Sequence, residues 1–130
     1  MLRQHQIDIQ VRYYETDGQG FVHHANYFVY FELGRTELLR AAGRGYEQLE
    51  DSGFHLVVAK MSCQYHRPCR FGDTLVLKTT TVQAKGARAV HRYELFRDGQ
   101  LLAEGESTVA CIDHGGKVRR LPDWLLGENT

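Results

Sequence analysis

Residues 26–43 read NYFVYFELGRTELLRAAG, and this stretch decides the fold. Apolar or small side chains recur in it every three or four residues, the spacing that places them on one face of a helix. They are Tyr27, Phe28, Phe31, Gly34, Leu38, Ala41 and Ala42. Asn26 is a residue type that caps helix starts, and Gly43 is one that ends helices in a left-handed turn. The pattern predicts one long amphipathic helix with Asn26 as its N-cap.

Alternating patterns typical of half-buried β-strands lie on both sides of this helix. Before it, the apolar residues of the alternation are Ile7, Ile9, Val11 and Tyr13. After it, a long alternation begins at Val57 and is interrupted by Pro68. One face of this second strand is predicted to carry Val57, Ala59, Met61, Cys63 and Tyr65.

Three further strands are predicted over residues 74–82, 89–96 and 101–112, which are rich in β-branched or alternating apolar residues. Turn residues separate them, namely Gly72-Asp73, Lys85-Gly86 and Asp98-Gly99. A short helix is predicted over residues 46–51, closed by Gly53. The order predicts an α+β fold in which one long helix packs on a five-stranded antiparallel sheet. A doubly wound nucleotide-binding fold is disfavoured because helices and strands do not alternate.

Composition limits the class of protein. The chain has 130 residues with Lys+Arg 16 and Asp+Glu 16, so it lacks the overall positive charge that favours nucleic acid or anionic membranes. We expect a single domain over residues 1–130, with no secretory signal and no transmembrane segment. Three cysteines, an odd number, favour reduced thiols and a cytoplasmic location.

The segment between the first strand and the long helix, residues 14–27, is densest in polar and unusual residues. Asp17 follows the strand, and an exposed aspartate is ionised at neutral pH and can act as base or nucleophile. Two glycines let backbone approach a ligand, and the free N–H groups of a helix start can stabilise an oxyanion. Asp17-Gly18 is equally typical of a plain turn, and the residues alone leave both interpretations open.

This segment resembles the signature of the 4-hydroxybenzoyl-CoA thioesterase family of hotdog-fold acyl-CoA thioesterases, including the bacterial branch associated with the Tol-Pal cell-envelope system. The matching residues are Tyr14-Glu15-Thr16-Asp17, Gly20, Val22, His24-Ala25-Asn26-Tyr27, Tyr30-Phe31-Glu32, Arg35, Tyr65-His66-Arg67-Pro68 and Gly72-Asp73. The resemblance implies the hotdog fold, in which an antiparallel sheet wraps around a long central helix. The chain is similar to that branch except that it lacks one acidic residue before Thr16. This difference leaves open which acyl group the substrate carries.

The resemblance also implies the site residues. It makes Asp17 the catalytic carboxylate and gives the backbone N–H of His24 the role of polarising the thioester carbonyl. Tyr14, Gly20 and Tyr27, which belong to the matched segment, are expected to bind substrate.

Coenzyme A carries phosphates, which Arg and Lys bind through charge-assisted hydrogen bonds. The candidates are Lys60, Arg67 and Arg70 around the second strand, and Lys85, Arg88 and Arg92 around a later turn. The turn at residues 85–88 resembles the family's site for the nucleotide end. Each of these cations could also be an ordinary solvated surface charge.

Other chemistries have weaker support. Cys63, His66 and Cys69 have a spacing reminiscent of metal ligands, but alternation puts Cys63 and His66 on opposite faces of one strand. The chain shows neither the phosphate-binding P-loop nor the serine-hydrolase elbow. We expect no metal and no redox cofactor.

The sequence therefore predicts an acyl-CoA thioesterase that releases a carboxylic acid and free coenzyme A. A hotdog dehydratase or hydratase acting on acyl-CoA or acyl carrier protein is one alternative, and a non-catalytic acyl-CoA-binding module is another. One helix cannot cover both faces and all edges of a five-stranded sheet. We therefore expect a homodimer or homotetramer with the site at a subunit interface.

Overall fold

A computed structural model of the chain describes residues 3–43 and 45–126. The helices within this part are a 3-10 turn at Tyr13–Glu15, α1 at Asn26–Ala41 and α2 at Tyr46–Asp51. The strands are β1 Gln4–Gln10, β2 Phe54–Tyr65, β3 Thr74–Lys85, β4 Arg88–Arg97 and β5 Gln100–Asp113. They form one antiparallel sheet in the order β1-β3-β4-β5-β2. The predicted plan of one long helix and a five-stranded antiparallel sheet is confirmed.

Helix α1 packs closely against the sheet along its predicted apolar face. The ring of Phe31 stacks on that of Tyr93 in β4, with centroids 4.6 Å apart and planes 7° from parallel. One turn further, Gly34 lies against Leu77 and Thr79 of β3, where any Cβ would overlap their side chains. Glycine at this position therefore sets how near the helix axis comes to the strand.

Two local predictions near the ends of β1 and α1 are wrong. Strand β1 ends at Gln10, and Tyr13 lies in the 3-10 turn with its side chain exposed. Asn26 is the first residue of α1 rather than its N-cap, and Ala25 occupies the cap position. The Asn26 side chain donates through Nδ2 to the carbonyl of Glu15 at 2.9 Å, so it binds a neighbouring segment instead of accepting from the helix.

The predicted faces of β2 do not run unbroken, because the pairing with β5 shifts between Val58 and Lys60. This irregularity leaves Ala59 without a partner and reverses the alternation beyond it. Met61 and Cys63 pack against the core, whereas Val57, predicted on the same face, is exposed.

Strands β1 and β2 form the two edges of the sheet. β2 has 12 residues, and it leaves Val57, Val58 and Tyr65 exposed. A long edge strand with exposed apolar side chains is a surface that natural proteins usually pair or cover. No helix in the described ranges is long and apolar enough to cross a membrane.

A polar cluster is buried beside α1. Arg35 donates to the hydroxyls of Tyr46 and Tyr93, at 3.1 and 2.9 Å, and the Tyr93 hydroxyl lies 2.6 Å from that of Ser107. His91 is 4% exposed, and its Nδ1 has no hydrogen-bond partner in the described part of the chain. Burial, followed by the positive charge of Arg35, lowers the pKa of His91 from 6.5 to about 4.

The close approach at Gly34 predicts an unusual response to alanine. Glycine to alanine within a helix normally stabilises it by about 1 kcal/mol. At Gly34 the added methyl group overlaps Leu77 and Thr79, so we expect Gly34→Ala to lower the free energy of unfolding by about 1–3 kcal/mol. Urea unfolding followed by circular dichroism measures this. A Gly34→Ala protein as stable as wild type would contradict the packing, with Val29→Ala on the exposed face of α1 as the control.

The buried His91 predicts a specific acid sensitivity. In the unfolded chain His91 takes up a proton near pH 6.5, whereas in the folded chain it does so only near pH 4. Protons therefore favour the unfolded state as the pH falls between these values, by up to about 3 kcal/mol from this group. We expect the free energy of unfolding of His91→Gln to fall less over this interval than that of wild type. Equal pH dependence in the two proteins would contradict the assignment.

Candidate active site

Asp17 begins a tight loop between the 3-10 turn and α1. Thr16 and Val22 pair across this loop, and the Asp17 N–H donates to the carbonyl of Phe21 at 2.7 Å. Gly20 has a φ of 86°, a conformation that favours glycine, and this lets the chain turn back. The loop is therefore a small closed hairpin rather than a loose connection.

The Asp17 carboxylate is held by the backbone of its own loop. Its Oδ1 accepts from the N–H of Gln19 at 2.8 Å and from that of Phe21 at 3.2 Å. Among the residues that the structure describes, Oδ2 has no hydrogen-bond partner, and the side chain is exposed. One oxygen is thus oriented by the fold while the other is available to a ligand.

His24 lies just before the first turn of α1. Its carbonyl accepts from the N–H of Tyr27 at 3.3 Å and from the hydroxyl of Tyr65 at 3.0 Å. Within residues 3–43 and 45–126 no acceptor binds the backbone N–H of His24. The N–H groups at the start of a helix carry partial positive charge, so this one can bind a developing oxyanion.

A surface pocket of about 320 Å³ joins the start of α1 to the end of β2. Its lining residues are Val22, His24, Tyr27, Tyr65, His66, Arg67 and Pro68. The rings of Tyr27 and Tyr65 meet edge to face, with centroids 4.8 Å apart. Three of the predicted residues, His24, Tyr27 and Arg67, therefore share one pocket. Tyr65 and His66 line it as well, and their only sequence signal was their place in the matched stretch at residues 65–68.

The Asp17 loop, residues 16–22, contacts residues 69 and 70, which directly follow the pocket-lining residues 65–68. The N–H of Val22 donates to the carbonyl of Cys69 at 2.9 Å, and Phe21 pairs with Arg70 in an isolated bridge. The guanidinium of Arg70 lies over the Phe21 ring, 4.6 Å from its centroid. Val22 belongs to both the loop and the pocket, so it connects Asp17 to the pocket.

Burial raises the pKa values of the phenol and thiol groups near the pocket. It raises the pKa of Tyr65 to about 12, and it also raises the pKa of Tyr27, whose hydroxyl lies 3.3 Å from Sγ of Cys69. The pKa of the buried Cys69 thiol and that of Cys63 are raised for the same reason. A thiolate or phenolate nucleophile is therefore disfavoured here at neutral pH.

Glu15 is a buried carboxylate to which sequence reasoning gave no role. It is 8% exposed, and its Oε1 accepts from the N–H of Arg12 and the hydroxyl of Tyr30, both at 2.8 Å. The signal available in the sequence was its position two residues before Asp17 in the matched stretch.

Other predicted site residues lie away from the pocket of one chain. Tyr14 is 75% exposed and accepts from the Arg12 guanidinium beside a separate surface pocket. Lys60 is exposed in the middle of β2, opposite Thr108 of β5.

The turn at residues 85–88 lies at the far end of the sheet. Arg88 pairs with Ala110 of β5, whereas Tyr65, beside the pocket, pairs with Ala103. The seven steps along the strand from position 103 to position 110 span about 23 Å. A single chain therefore does not bring Lys85 and Arg88 to the pocket.

No three His, Cys, Asp or Glu residues in the described ranges are grouped to hold a metal ion.

The sequence and the fold are similar to those of known thioesterases. The thioesterase superfamily matches residues 19–104. Acyl-CoA thioester hydrolase YbgC of Escherichia coli O6:H1 is 33% identical over 122 residues, covering 92% of this chain and 91% of that protein.

Solved structures agree with this match. The DHNA-CoA thioesterase of Staphylococcus aureus superposes with a TM-score of 0.87 at 28% identity, covering 91% of this chain and 80% of that one. Protein TT1821 of Thermus thermophilus superposes with a TM-score of 0.87 at 35% identity, covering 91% of each chain. The predicted hotdog fold is confirmed, and the chain belongs to the thioesterase superfamily and is a thioester hydrolase.

Proposed function

We propose that this protein is an acyl-CoA thioesterase, which hydrolyses the thioester of an acyl-CoA to a carboxylic acid and free coenzyme A. The observation that carries the proposal is the backbone N–H of His24 at the start of α1, which has no acceptor among the described residues and lies close along the chain to the oriented carboxylate of Asp17. A thioester hydrolase needs these two groups, an oxyanion donor and a base or nucleophile. The names of the Escherichia coli and Staphylococcus aureus relatives support coenzyme A as the thiol.

Asp17 acts by one of two routes. As general base it takes a proton from water, the hydroxide adds to the thioester carbonyl, and the proton passes to the leaving thiolate. As nucleophile it adds to the carbonyl itself, expels the thiolate, and forms a mixed anhydride that water then cleaves. In both routes the carbonyl oxygen becomes an oxyanion, which the His24 N–H stabilises.

The residues around the pocket suit the two ends of the substrate. The rings of Tyr27 and Tyr65 offer an apolar wall for the acyl group or the pantetheine arm. Arg67 lines the pocket, and Arg70 lies on the neighbouring loop over Phe21, so these two cations are the candidates on this chain for binding phosphate.

We propose further that the protein is a homodimer or a dimer of dimers, joined through β2. When two copies of β2 pair antiparallel about a two-fold axis, the Phe54 end of one strand lies beside the Tyr65 end of the other. That arrangement brings the partner's sheet end, with its turn at residues 85–88, toward the Asp17 pocket of the first chain. The predicted phosphate ligands Lys85 and Arg88 then act in the partner's site, and the middle of each β2 places Lys60 at the interface.

The assignment of Asp17 predicts a selective loss of turnover. Asp17→Asn keeps the shape of the loop and its Oδ1 acceptor but removes the base or nucleophile, so we expect kcat to fall about 10²–10⁴-fold. Thiol release from a panel of short, long and aromatic acyl-CoAs measures this. Asp51→Asn, at the exposed end of α2, is the matched control. Undiminished turnover of Asp17→Asn would remove Asp17 from the mechanism. Substrate binding without any thiol release by wild type would favour a binding module or a dehydratase instead.

The proposed interface predicts an oligomer that charge can separate. Val57→Lys and Val58→Lys place like charges on both copies of the β2 edge, and we expect each to shift the protein toward monomer and to lower thiol release. Sedimentation velocity at micromolar concentration measures the mass. Val82→Lys, an exposed position on β3, is the control and should leave the mass unchanged. A wild-type monomer under these conditions would refute the shared site.

A further inference from the structure

We infer that Glu15 is the positioning residue of this site, which holds the Asp17 carboxylate and the His24 N–H in register by binding the Asp17 loop to α1. The inference rests on the proposed function, because it assigns a role in thioester hydrolysis. It concerns a residue that touches neither of the two reacting groups, so it acts through them.

The main chain of Glu15 joins the two halves of the site. Its carbonyl accepts from the N–H of His23 at 2.8 Å and from Nδ2 of Asn26 at 2.9 Å. His23 directly precedes His24, and Glu15 directly precedes the Thr16-Asp17 pair. The hydrogen bond from His23 therefore connects the 3-10 turn that leads into Asp17 with the residue that leads into the oxyanion donor.

The side chain of Glu15 fixes where that carbonyl lies. Its Oε1 accepts from the hydroxyl of Tyr30, in the second turn of α1, and from the N–H of Arg12, just before the 3-10 turn. Tyr30 is buried, so water does not compete for this bond. The carbonyl and carboxylate of Glu15 bind residues before the 3-10 turn, at the start of α1 and one turn inside α1. Glu15 therefore cannot move without breaking one of these bonds.

The chemistry of this position also indicates that Glu15 orients the segments around it rather than merely filling space in the core. Burying a carboxylate is costly, and an apolar side chain would occupy the same space more favourably. Both donors to Oε1 are neutral, a main-chain N–H before the 3-10 turn and a phenol on α1, so they belong to two different segments. A polar group held in this way specifies one arrangement of the surrounding segments.

The far end of the Asp17 loop is held separately, by the Val22–Cys69 hydrogen bond and the Phe21–Arg70 bridge. Thr16 pairs with Val22 and the Asp17 N–H binds the Phe21 carbonyl, so the hairpin moves as one unit. Loosening Glu15 would therefore let the whole hairpin, with Asp17, tilt relative to α1 about its contacts with residues 69 and 70 while the rest of the fold stays in place. Such a shift changes the relative positions of base and oxyanion donor, which matters in the transition state more than in substrate binding.

The test compares four variants by kcat and KM. A misplacement of about 1 Å costs about 100-fold in rate, so we expect Glu15→Ala to lower kcat about 100-fold. Its KM should stay within about two-fold of wild type, since ground-state binding is kept. Tyr30→Phe removes one of the two bonds to Oε1 and should lower kcat about 10-fold. Glu15→Gln keeps an acceptor oxygen and should restore kcat to within about three-fold of wild type.

Tyr93→Phe is the matched control, since it deletes another buried phenol hydroxyl that binds Arg35 and Ser107 in the core. It should lower Tm without changing kcat well below Tm. If Glu15→Ala or Tyr30→Phe behaves like Tyr93→Phe, with reduced Tm and unchanged kcat, Glu15 is merely structural and the inference fails. Tyr30→Phe keeps the test decisive even where Glu15→Ala does not fold.

A second readout does not depend on activity. Hydrogen exchange of folded Tyr30→Phe and Glu15→Ala, measured by mass spectrometry, should speed up in residues 16–24 and stay unchanged in β3 and β4. Unchanged exchange in residues 16–24 would overturn the inference. A wild type that hydrolyses no thioester would refute the proposed function, while the exchange result still tests the role of Glu15. Conversely, inactive Asp17→Asn with fully active Glu15→Ala would refute only the positioning role.

Discussion

The close seating of α1 on the sheet is the constraint on which the rest of the structure depends. Phe31 stacks on Tyr93, and Gly34 allows the helix to approach β3 where a larger residue would hold it away. With the helix so placed, its first turn meets the end of β2, where the Tyr65 hydroxyl binds the His24 carbonyl. The pocket and the oxyanion donor follow from this packing, since neither element forms the site alone.

Much of the fold could be predicted because its signals are local. The three- and four-residue spacing in α1 and dipeptides such as Asp98-Gly99 depend only on neighbouring residues. The irregular pairing at Ala59 and the position of β2 at the sheet edge depend on pairing with distant strands. Asn26 illustrates the same limit, since the distant Glu15 carbonyl overrides its preference as a cap.

The residues of the candidate site also differ in how far the sequence alone could place them. His24, Tyr27 and Arg67 come from two separated stretches of sequence that the fold brings into one pocket. Lys85 and Arg88 lie at the opposite end of the same sheet, a separation that becomes visible only through the strand register. Glu15 belongs to the matched stretch at residues 14–17, but its role becomes visible only through the hydrogen bonds that surround it.

In the proposed dimer, each site combines Asp17 and the His24 N–H of one chain with the turn at residues 85–88 of another. Complementation tests this arrangement most directly, by mixing two impaired proteins, Asp17→Asn and the double variant Lys85→Glu, Arg88→Glu. Random reassociation makes half of the dimers mixed, each with one intact site of two, so we expect recovery of about a quarter of wild-type thiol release. Mixed dimers that form, as mass spectrometry would verify, but recover no activity above the parent proteins would contradict it.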